Sequence, residues 1–479
     1  MKFVSPDTGT SNHRKMAQPF KSVHLTNYYH KNSGGISTSF NNLMAAAERH
    51  QRPVRLIVPG EVEAVEDVNP FAKIYYVPAK YSPLFDKRYR IMMPWQYMVK
   101  DSIIRRILLE ESPEMIEVTD KYTLSMIGAM IRNNNFKRLG RPMLVHFSCE
   151  RMDDNIASFL TDGKLGRWLA RRVIGNYTLP NFDFHIANST YTAEEFYNSI
   201  SAEYNPGRSK AFLNWCWRSL RSPRVPVSER IFVCPRGVDA VHFSPRRISD
   251  DVRREMIQRA GIPEDAVILL YAGRLSPEKN IGLLADMMKV LSKENDQDYR
   301  LLIAGAGPQA EWLKTEGDRF APQKMIQLGH LEKDVLADYY ANADVFVHPN
   351  PKEPFGIAPL EAMASGVPTV APNAGGILSY ATNDNAWLVE PTGVEFARAV
   401  IEVVENVPLR ESKIARALGT ARKNTREAST DRLFASYDRM YEDFRSRYDQ
   451  YTNIDKAKDF DFVRELLEPA GETREKIAG

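Results

Sequence analysis

From about Ser22 onward, short runs rich in β-branched and aromatic residues alternate with segments whose apolar positions recur at helical spacing. SVHLTNYY precedes NNLMAAAERH, PVRLIVPG follows, and a helix-like IIRRILLEESP leads into MIEVTD. PMLVHFS, FDFHIANS and RIFVCPRGVD supply further strand-like runs, each closing on polar or glycine residues. This alternation predicts βαβ units around a parallel sheet, which presents ligands at the carboxyl ends of its strands. The pattern restarts after PRGVDAVHFSPRR. AVILLYAGRLSPEKN, YRLLIAGAG, KMIQLGHL, ADVFVHPN and VPTVAPN are five runs of the same kind, interleaved with helical segments such as IGLLADMMKVLSKEN and VLADYYANA. No residue-level repeat relates the two halves, so the repetition is architectural. From about Arg432 the spacing is helical without strand character and the end is highly charged, which predicts a helical tail with frayed final residues.

A chain of 479 residues exceeds what one hydrophobic core supports, so two domains are expected. With 43% hydrophobic and 26% charged residues the balance is that of a soluble globular protein. A net charge of +3 does not argue for nucleic acid. The N-terminal residues lack a signal-peptide core and no run approaches the roughly 20 apolar residues of a spanning helix, which favours the cytosol. Cys149, Cys216 and Cys234 are scattered and suggest neither a disulfide framework nor a zinc cluster. The triplets Asp296–Asp298 and Asp459–Asp461 fall in a polar turn and in the tail, where solvated charge accounts for them better than a metal.

The candidate chemistry gathers in KEPFGIAPLEAMASGVPTVAP, residues 352–372. ADVFVHPN reads as a strand, PKEPFG as a loop, and IAPLEAMASG as a helix with Pro359 in its first turn and Gly366 as its stop. The amides of Gly356, Ile357 and Ala358 then open a helix N-terminus at the end of a strand, suited to anionic or hydroxylated ligands. Glu353 stands beside that mouth, and capping alone would account for one carboxylate there. YAGRLSPEKN puts Arg274 and Lys279 in another strand-to-helix loop, where a diphosphate would meet an Arg fork and a Lys point charge. AGAGPQ is weak as a phosphate loop, lacking the third glycine of the dinucleotide fingerprint and the Lys-Ser/Thr of a P-loop, but Gly305 allows close backbone approach to a base or ribose. GHLEK, with Leu331, sits at a further strand end.

Together, GRLSPEKN, AGAGP, GHL and EPFGIAPLEAMASGVPTVAPNAGG resemble the family 4 retaining glycosyltransferases, also called glycosyl transferases group 1. The resemblance covers nearly all of the second half. It implies an α/β protein of GT-B architecture, with two Rossmann-like doubly wound domains facing across a cleft. Residues 1–235 would bind the acceptor, 236–431 the nucleotide-sugar donor, and 432–479 would form a helical tail crossing back to the N-terminal domain. The family's Glu, seven residues, Glu motif maps onto Glu353 and Glu361. By resemblance Glu353 contacts the transferred sugar and Glu361 the ribose hydroxyls, while Arg274 and Lys279 match the diphosphate-binding pair. Phe355 belongs to the same donor loop. Two carboxylates beside a diphosphate would repel it, so they must hold neutral hydroxyls at opposite ends of one donor while cations and helix amides meet the phosphates.

In the first half, TNYYHKNSGGISTSF resembles the family's Gly-Gly loop through Gly34 and Gly35, and VHFSCERMDD places His146 where the family has a histidine near sugar and acceptor. The chain departs from the family at FSCER, which leaves the role of Glu150 open, and at Arg236, where relatives commonly carry Asn. The implied reaction moves a hexose such as glucose or mannose from a UDP- or GDP-linked donor to a hydroxyl of a glycan, lipid or small molecule. It retains the anomeric configuration by a front-side path, and the nucleotide sugar is a co-substrate, with no cofactor and no metal. A nucleotide-sugar epimerase and a non-catalytic sugar-nucleotide sensor are the alternatives. Two basic and aromatic stretches, residues 80–100 and 207–224, suggest contact with a lipid-linked acceptor or the inner face of a membrane, Trp215 and Trp217 at the interface and Arg218, Arg221 and Arg224 at headgroups. A solvated surface with inward aromatics is the simpler account of both.

Overall fold

The computed structural model describes residues 19–29, 35–82, 90–159, 163–294 and 297–467. The chain divides into two compact units, one formed by residues up to Cys234 together with those from Thr430 on, the other by Pro235–Ser429.

The first unit is built on β1 (Ser22–Leu25), β2 (Val54–Gly60), β3 (Ala64–Asn69), β4 (Ala72–Pro78), β7 (Met115–Val118), β8 (Met143–Ser148), β9 (Phe184–Ala187) and β10 (Ile231–Val233), with a two-residue ladder of β5 (Lys80–Tyr81) and β6 (Arg90–Ile91) beside it. The sheet order is β10-β9-β8-β7-β1-β2-β4-β3, and all neighbours are parallel except β3 on β4. Every residue of β1, β7, β8 and β9 is buried, because helices cover both faces of a parallel sheet. The edge strand β3 was not evident in the sequence. AVEDVN is almost wholly exposed and carries Glu66 and Asp67, charges that discourage edge-to-edge pairing.

The C-terminal segment belongs to the core of this unit. The helix Arg426–Ser446 buries Phe434, Tyr437, Met440 and Phe444 among Phe40, Val145 and Phe184. The Tyr437 hydroxyl donates to Glu117 Oε2 at 2.6 Å, and Glu117 also bonds His24 Nδ1 at 3.0 Å. Buried ion pairs from Arg132 and Arg141 to Asp183 stand beside the Tyr451 carbonyl, which accepts from Arg132 at 3.1 Å.

In the second unit β11 (Val267–Ala272), β12 (Tyr299–Ala304), β13 (Met325–Gly329), β14 (Val345–Val347), β15 (Thr369–Pro372) and β16 (Trp387–Val389) form a wholly parallel sheet in the order β13-β12-β11-β14-β15-β16. Five of these strands coincide with the runs read from the sequence. The sixth, WLV, is only three residues long, too short for its alternation to stand out. This is the doubly wound arrangement, and its winding reverses between β11 and β14. Loops leaving adjacent strands there part to opposite faces and open a crevice.

Candidate functional site

The two loops at that reversal carry the candidate residues. The β11 loop holds Arg274 and Lys279, and the β14 loop runs from His348 to Gly356. Asn280, with φ +53°, ties them together by donating to the Pro349 carbonyl at 2.9 Å. Lys279 Nζ donates to Glu353 Oε2 at 2.8 Å and Asn350 Nδ2 donates to the same oxygen at 2.9 Å. His348 Nε2 stands 3.9 Å from that oxygen, buried and without a hydrogen-bond partner. Burial alone would raise the Glu353 pKa, but the Lys279 ammonium and the hydrogen bonds from Lys279 and Asn350 outweigh it and hold the carboxyl at about 2. Burial lowers His348 to about 4, so at neutral pH it is an uncharged ring beside a carboxylate.

The backbone around Glu353 is clamped by the NAGG turn. Gly376 N–H donates to the Glu353 carbonyl at 2.7 Å, and a Cβ on Gly376 would sit 2.0 Å from the Pro354 carbonyl oxygen. Phe355 is buried against Tyr380, ring centroids 5.2 Å apart, and the Tyr380 hydroxyl donates to the Gly356 carbonyl. Gly356, at φ +84°, precedes the helix Ile357–Ser365, whose N-terminus has no side-chain cap and whose C-terminus ends on Gly366 at φ +79°. Ile357 and Ala358 are half-buried in its first turn. Further along, Glu361 accepts from the Tyr340 hydroxyl at 3.3 Å, and burial raises its pKa to about 7. Burial, then Glu353, then Glu361 push the Tyr380 phenol well up, so both carboxylates lie near one buried ring.

The Arg274 side chain is exposed, and its carbonyl accepts from the Tyr271 hydroxyl at 3.0 Å. Gly305 has a different reason for being glycine than close approach to a nucleotide. A Cβ there would lie 1.8 Å from the Gly273 carbonyl oxygen, so the residue lets the AGAG turn and the β11 loop touch. Gln309 N–H, donating to Leu275 O at 3.0 Å, reinforces the same contact. Leu331 is half-buried against the core of this unit.

In the first unit Gly34 lies outside the described residues, and Gly35 opens the helix Gly35–Arg49. His146 does not end its strand. β8 continues to Ser148, and the His146 ring is fully buried, 5.3 Å from Phe182 and 5.9 Å from Phe196, with neither nitrogen hydrogen-bonded. Burial drives its pKa well below the usual range. Side chains alternate across a strand, and at position 146 the ring faces Phe182 and Phe196. Glu150 stands beyond that end, its carboxylate bonded by Asn155 at 2.8 Å and its pKa raised by burial. The winding of this sheet reverses between β1 and β7, where Asn27 Nδ2 donates to Asp120 Oδ2 at 3.1 Å.

Of the basic and aromatic stretches, 83–89 lie outside the described residues, while Tyr81 and Trp95 are exposed. Trp215 is exposed, but Trp217 is fully buried and donates its Nε1 proton to Gly175 O at 2.8 Å, so an interfacial Trp217 is excluded. Arg218 bonds the Phe460 carbonyl at 2.8 Å and Arg224 pairs with Asp449 at 2.7 Å, which ties both to the C-terminal segment. Asp298 pairs with Arg300 and Asp296 lies outside the described residues. Among the described residues no helix is long and apolar enough to cross a membrane, and no three His, Cys, Asp or Glu side chains gather to hold a metal.

Residues 252–419 match the family model Glycosyl transferases group 1. A GDP-mannose-dependent alpha-(1-6)-phosphatidylinositol dimannoside mannosyltransferase of Mycobacterium tuberculosis is 26% identical over 396 residues, 82% of this chain and 90% of its own. Residues 252–419 form a group 1 glycosyltransferase domain. A GDP-mannose-dependent alpha-mannosyltransferase of Mycolicibacterium smegmatis is 37% identical over 158 residues, 33% of this chain and 37% of its own. In fold the glycosyltransferase resembles the sucrose-phosphate synthase of Thermosynechococcus elongatus, with a TM-score of 0.65 at 17% identity over 88% of this chain and 100% of that one. The enzyme is thus a retaining hexosyltransferase of GT-B fold.

Sequence reasoning passed over His348, Asn350, Tyr340 and Tyr380 in this glycosyltransferase. The first two sit in HPNPKEP, where polar residues between prolines look like any loop, and the tyrosines look like ordinary core. Only their approach to Glu353 and Glu361 marks them.

Proposed function

We propose that this glycosyltransferase moves a mannosyl group from GDP-mannose to a hydroxyl of a lipid-linked glycan. The observation that carries the site assignment is the Glu353 carboxylate, kept ionised by Lys279 and Asn350 beside an uncapped helix N-terminus, with Glu361 on that same helix. In this reading Arg274, Lys279 and the amides of Gly356, Ile357 and Ala358 gather the departing diphosphate's charge, which is electrostatic catalysis by groups already in position. Glu353 accepts from sugar hydroxyls and Glu361 from the ribose diol. Lys279 and Glu353 compensate each other's charge until the phosphates arrive, and the ammonium then bridges carboxylate and phosphate. His348, with an unbonded Nε2 facing Glu353, is the further polar group available to the sugar.

The choice of mannose and of a lipid acceptor is supported by the mycobacterial relative, which spans most of both chains and whose name gives that donor and a phosphatidylinositol dimannoside acceptor. Asn27, Asp120 and Glu150, at strand ends of the first unit, supply polar groups of the kind an acceptor hydroxyl needs.

A thermal-shift screen of GDP, UDP, ADP and their sugar conjugates tests the donor, because a ligand that binds only the folded protein raises Tm by mass action. GDP and GDP-mannose are expected to raise it most. Stabilisation by UDP alone overturns the choice of base. Conversion of a free nucleotide sugar into its epimer without acceptor overturns the transfer reading itself.

A further inference from the structure

The helix Gly163–Val173, GKLGRWLARRV, is amphipathic in the reverse of the usual sense. Its small residues Gly166 and Ala170, one turn apart, are buried, and a Cβ on Gly166 would lie 3.0 Å from the Ala157 backbone, so that face rests flat on the helix Met152–Phe159. The large apolar side chains point outward: Leu165 is 50% exposed, Trp168 44%, Leu169 40% and Val173 40%. A helix of a soluble domain normally turns such residues to its core, and a contiguous exposed set marks an interaction surface. The helix also carries Lys164, Arg167, Arg171 and Arg172 and no acid. The Arg172 guanidinium lies over the Trp168 ring, 5.1 Å from its centroid.

A second helix also exposes large aromatic rings. Lys210–Ser219 turns Leu213, Cys216 and Trp217 inward and leaves Phe212 and Trp215 exposed and stacked, centroids 5.7 Å apart. The first helix runs directly into the π-helix Ile174–Thr178, and the second packs on that same segment. Arg172 and Arg208 approach closely enough that the first adds to burial in lowering the second to about 10. Residues 207–224 hold no acid either, and Lys210 there is exposed, while Arg208, Arg218 and Arg224 are bonded within the fold. Of the acids nearby, Asp153 pairs with Arg151 and Asp449 with Arg224.

We infer that these two helices form a docking surface for an anionic lipid bilayer. Leu165, Trp168, Leu169, Phe212 and Trp215 enter the boundary between headgroups and acyl chains, and the flanking Lys and Arg side chains meet headgroup phosphates. Charge complementarity selects the occupant: Lys164, Arg167, Arg172 and Lys210, on segments that carry no acid of their own, match an anionic surface. The inference extends the lipid-linked acceptor proposed above, but vesicle binding is read without donor or acceptor, so either proposal can fail alone.

The full chain is floated with phosphatidylcholine vesicles and with vesicles containing about 30 mol % phosphatidylglycerol. Flotation is expected only with the anionic vesicles, released by about 0.5 M NaCl, and weakened at least tenfold in Leu165→Glu/Trp168→Glu and in Phe212→Ala/Trp215→Ala. Both pairs are exposed, and unchanged Tm verifies that each variant folds. No flotation of the folded wild type on anionic vesicles overturns the proposal. Equal flotation of the variants does so too, as does a concentration-dependent dimer that Trp168→Glu dissolves, since the face would then be a contact between two copies of the chain.

Discussion

Glu361 is the most direct handle on the donor site, because its two requirements conflict. As a partner for ribose hydroxyls it must be ionised, yet burial holds its pKa at about 7 against an ordinary 4.5. Between those values the folded protein keeps a proton that the unfolded chain has released. Stability therefore falls as pH rises through that window, and the penalty is complete above about pH 7. At about 1.4 kcal/mol per pH unit the gap amounts to ~3 kcal/mol. Glu361→Gln removes the charge and keeps an oxygen for the Tyr340 hydroxyl. For a unit of this size, in which 1 kcal/mol moves Tm by roughly 2–4 °C, the variant should melt about 6–12 °C above wild type at pH 8 and level with it at pH 4.5. Ribose hydroxyls that donate to Glu361 favour the ionised form, so GDP binding to wild type should tighten from pH 5.5 to 7.5, by up to about tenfold per unit below the pKa. The variant should bind weakly and without that dependence. Scanning calorimetry and nucleotide titrations across pH read both effects. A Tm difference that does not change with pH, or wild-type GDP affinity that ignores pH, refutes the reasoning.

Lys279→Ala should lower transfer by about 10²–10³-fold, as loss of one prepositioned donor to a developing charge does, and should lower Tm as well, because it leaves the buried Glu353 carboxylate without its ammonium; Lys279→Ala/Glu353→Gln should recover Tm but not transfer, and recovery of both would reduce Lys279 to a structural partner of Glu353. His146→Leu should leave turnover within a few-fold and Tm equal or higher, since it removes a buried ring with two unbonded nitrogens; a hundredfold loss of kcat at unchanged Tm would restore a direct role. Gly305→Ala should lower Tm with no nucleotide present, because its methyl would meet the Gly273 carbonyl at 1.8 Å; a stable variant defective only in GDP binding would return that glycine to the ligand. Phe434→Ala should cost ~3–5 kcal/mol in guanidinium unfolding of the first unit, and a loss under 1 kcal/mol would mean the C-terminal helix is not part of its core.

The periodicity of the chain by itself determined that two parallel-sheet units follow one another, because a strand buried on both faces must be almost wholly apolar and the helices between strands must be striped. It also determined the helix at 357–365, since proline in a first turn and glycine at a stop act locally through φ and a missing N–H. The Glu353 to Glu361 spacing was legible for the same reason. What only the tertiary structure decided is which groups meet. Asn350 reaches Glu353 within its own loop, but Lys279 is 74 residues away and arrives only because β11 and β14 are neighbours in the sheet. His146 shows the converse: its place in a strand was legible, its direction was not, because the pleat sends alternate side chains to opposite faces and the sequence on either side is apolar. Hydrophobic pattern is a property of single segments, whereas a site is a property of strand order, and strand order is set by how whole segments pack.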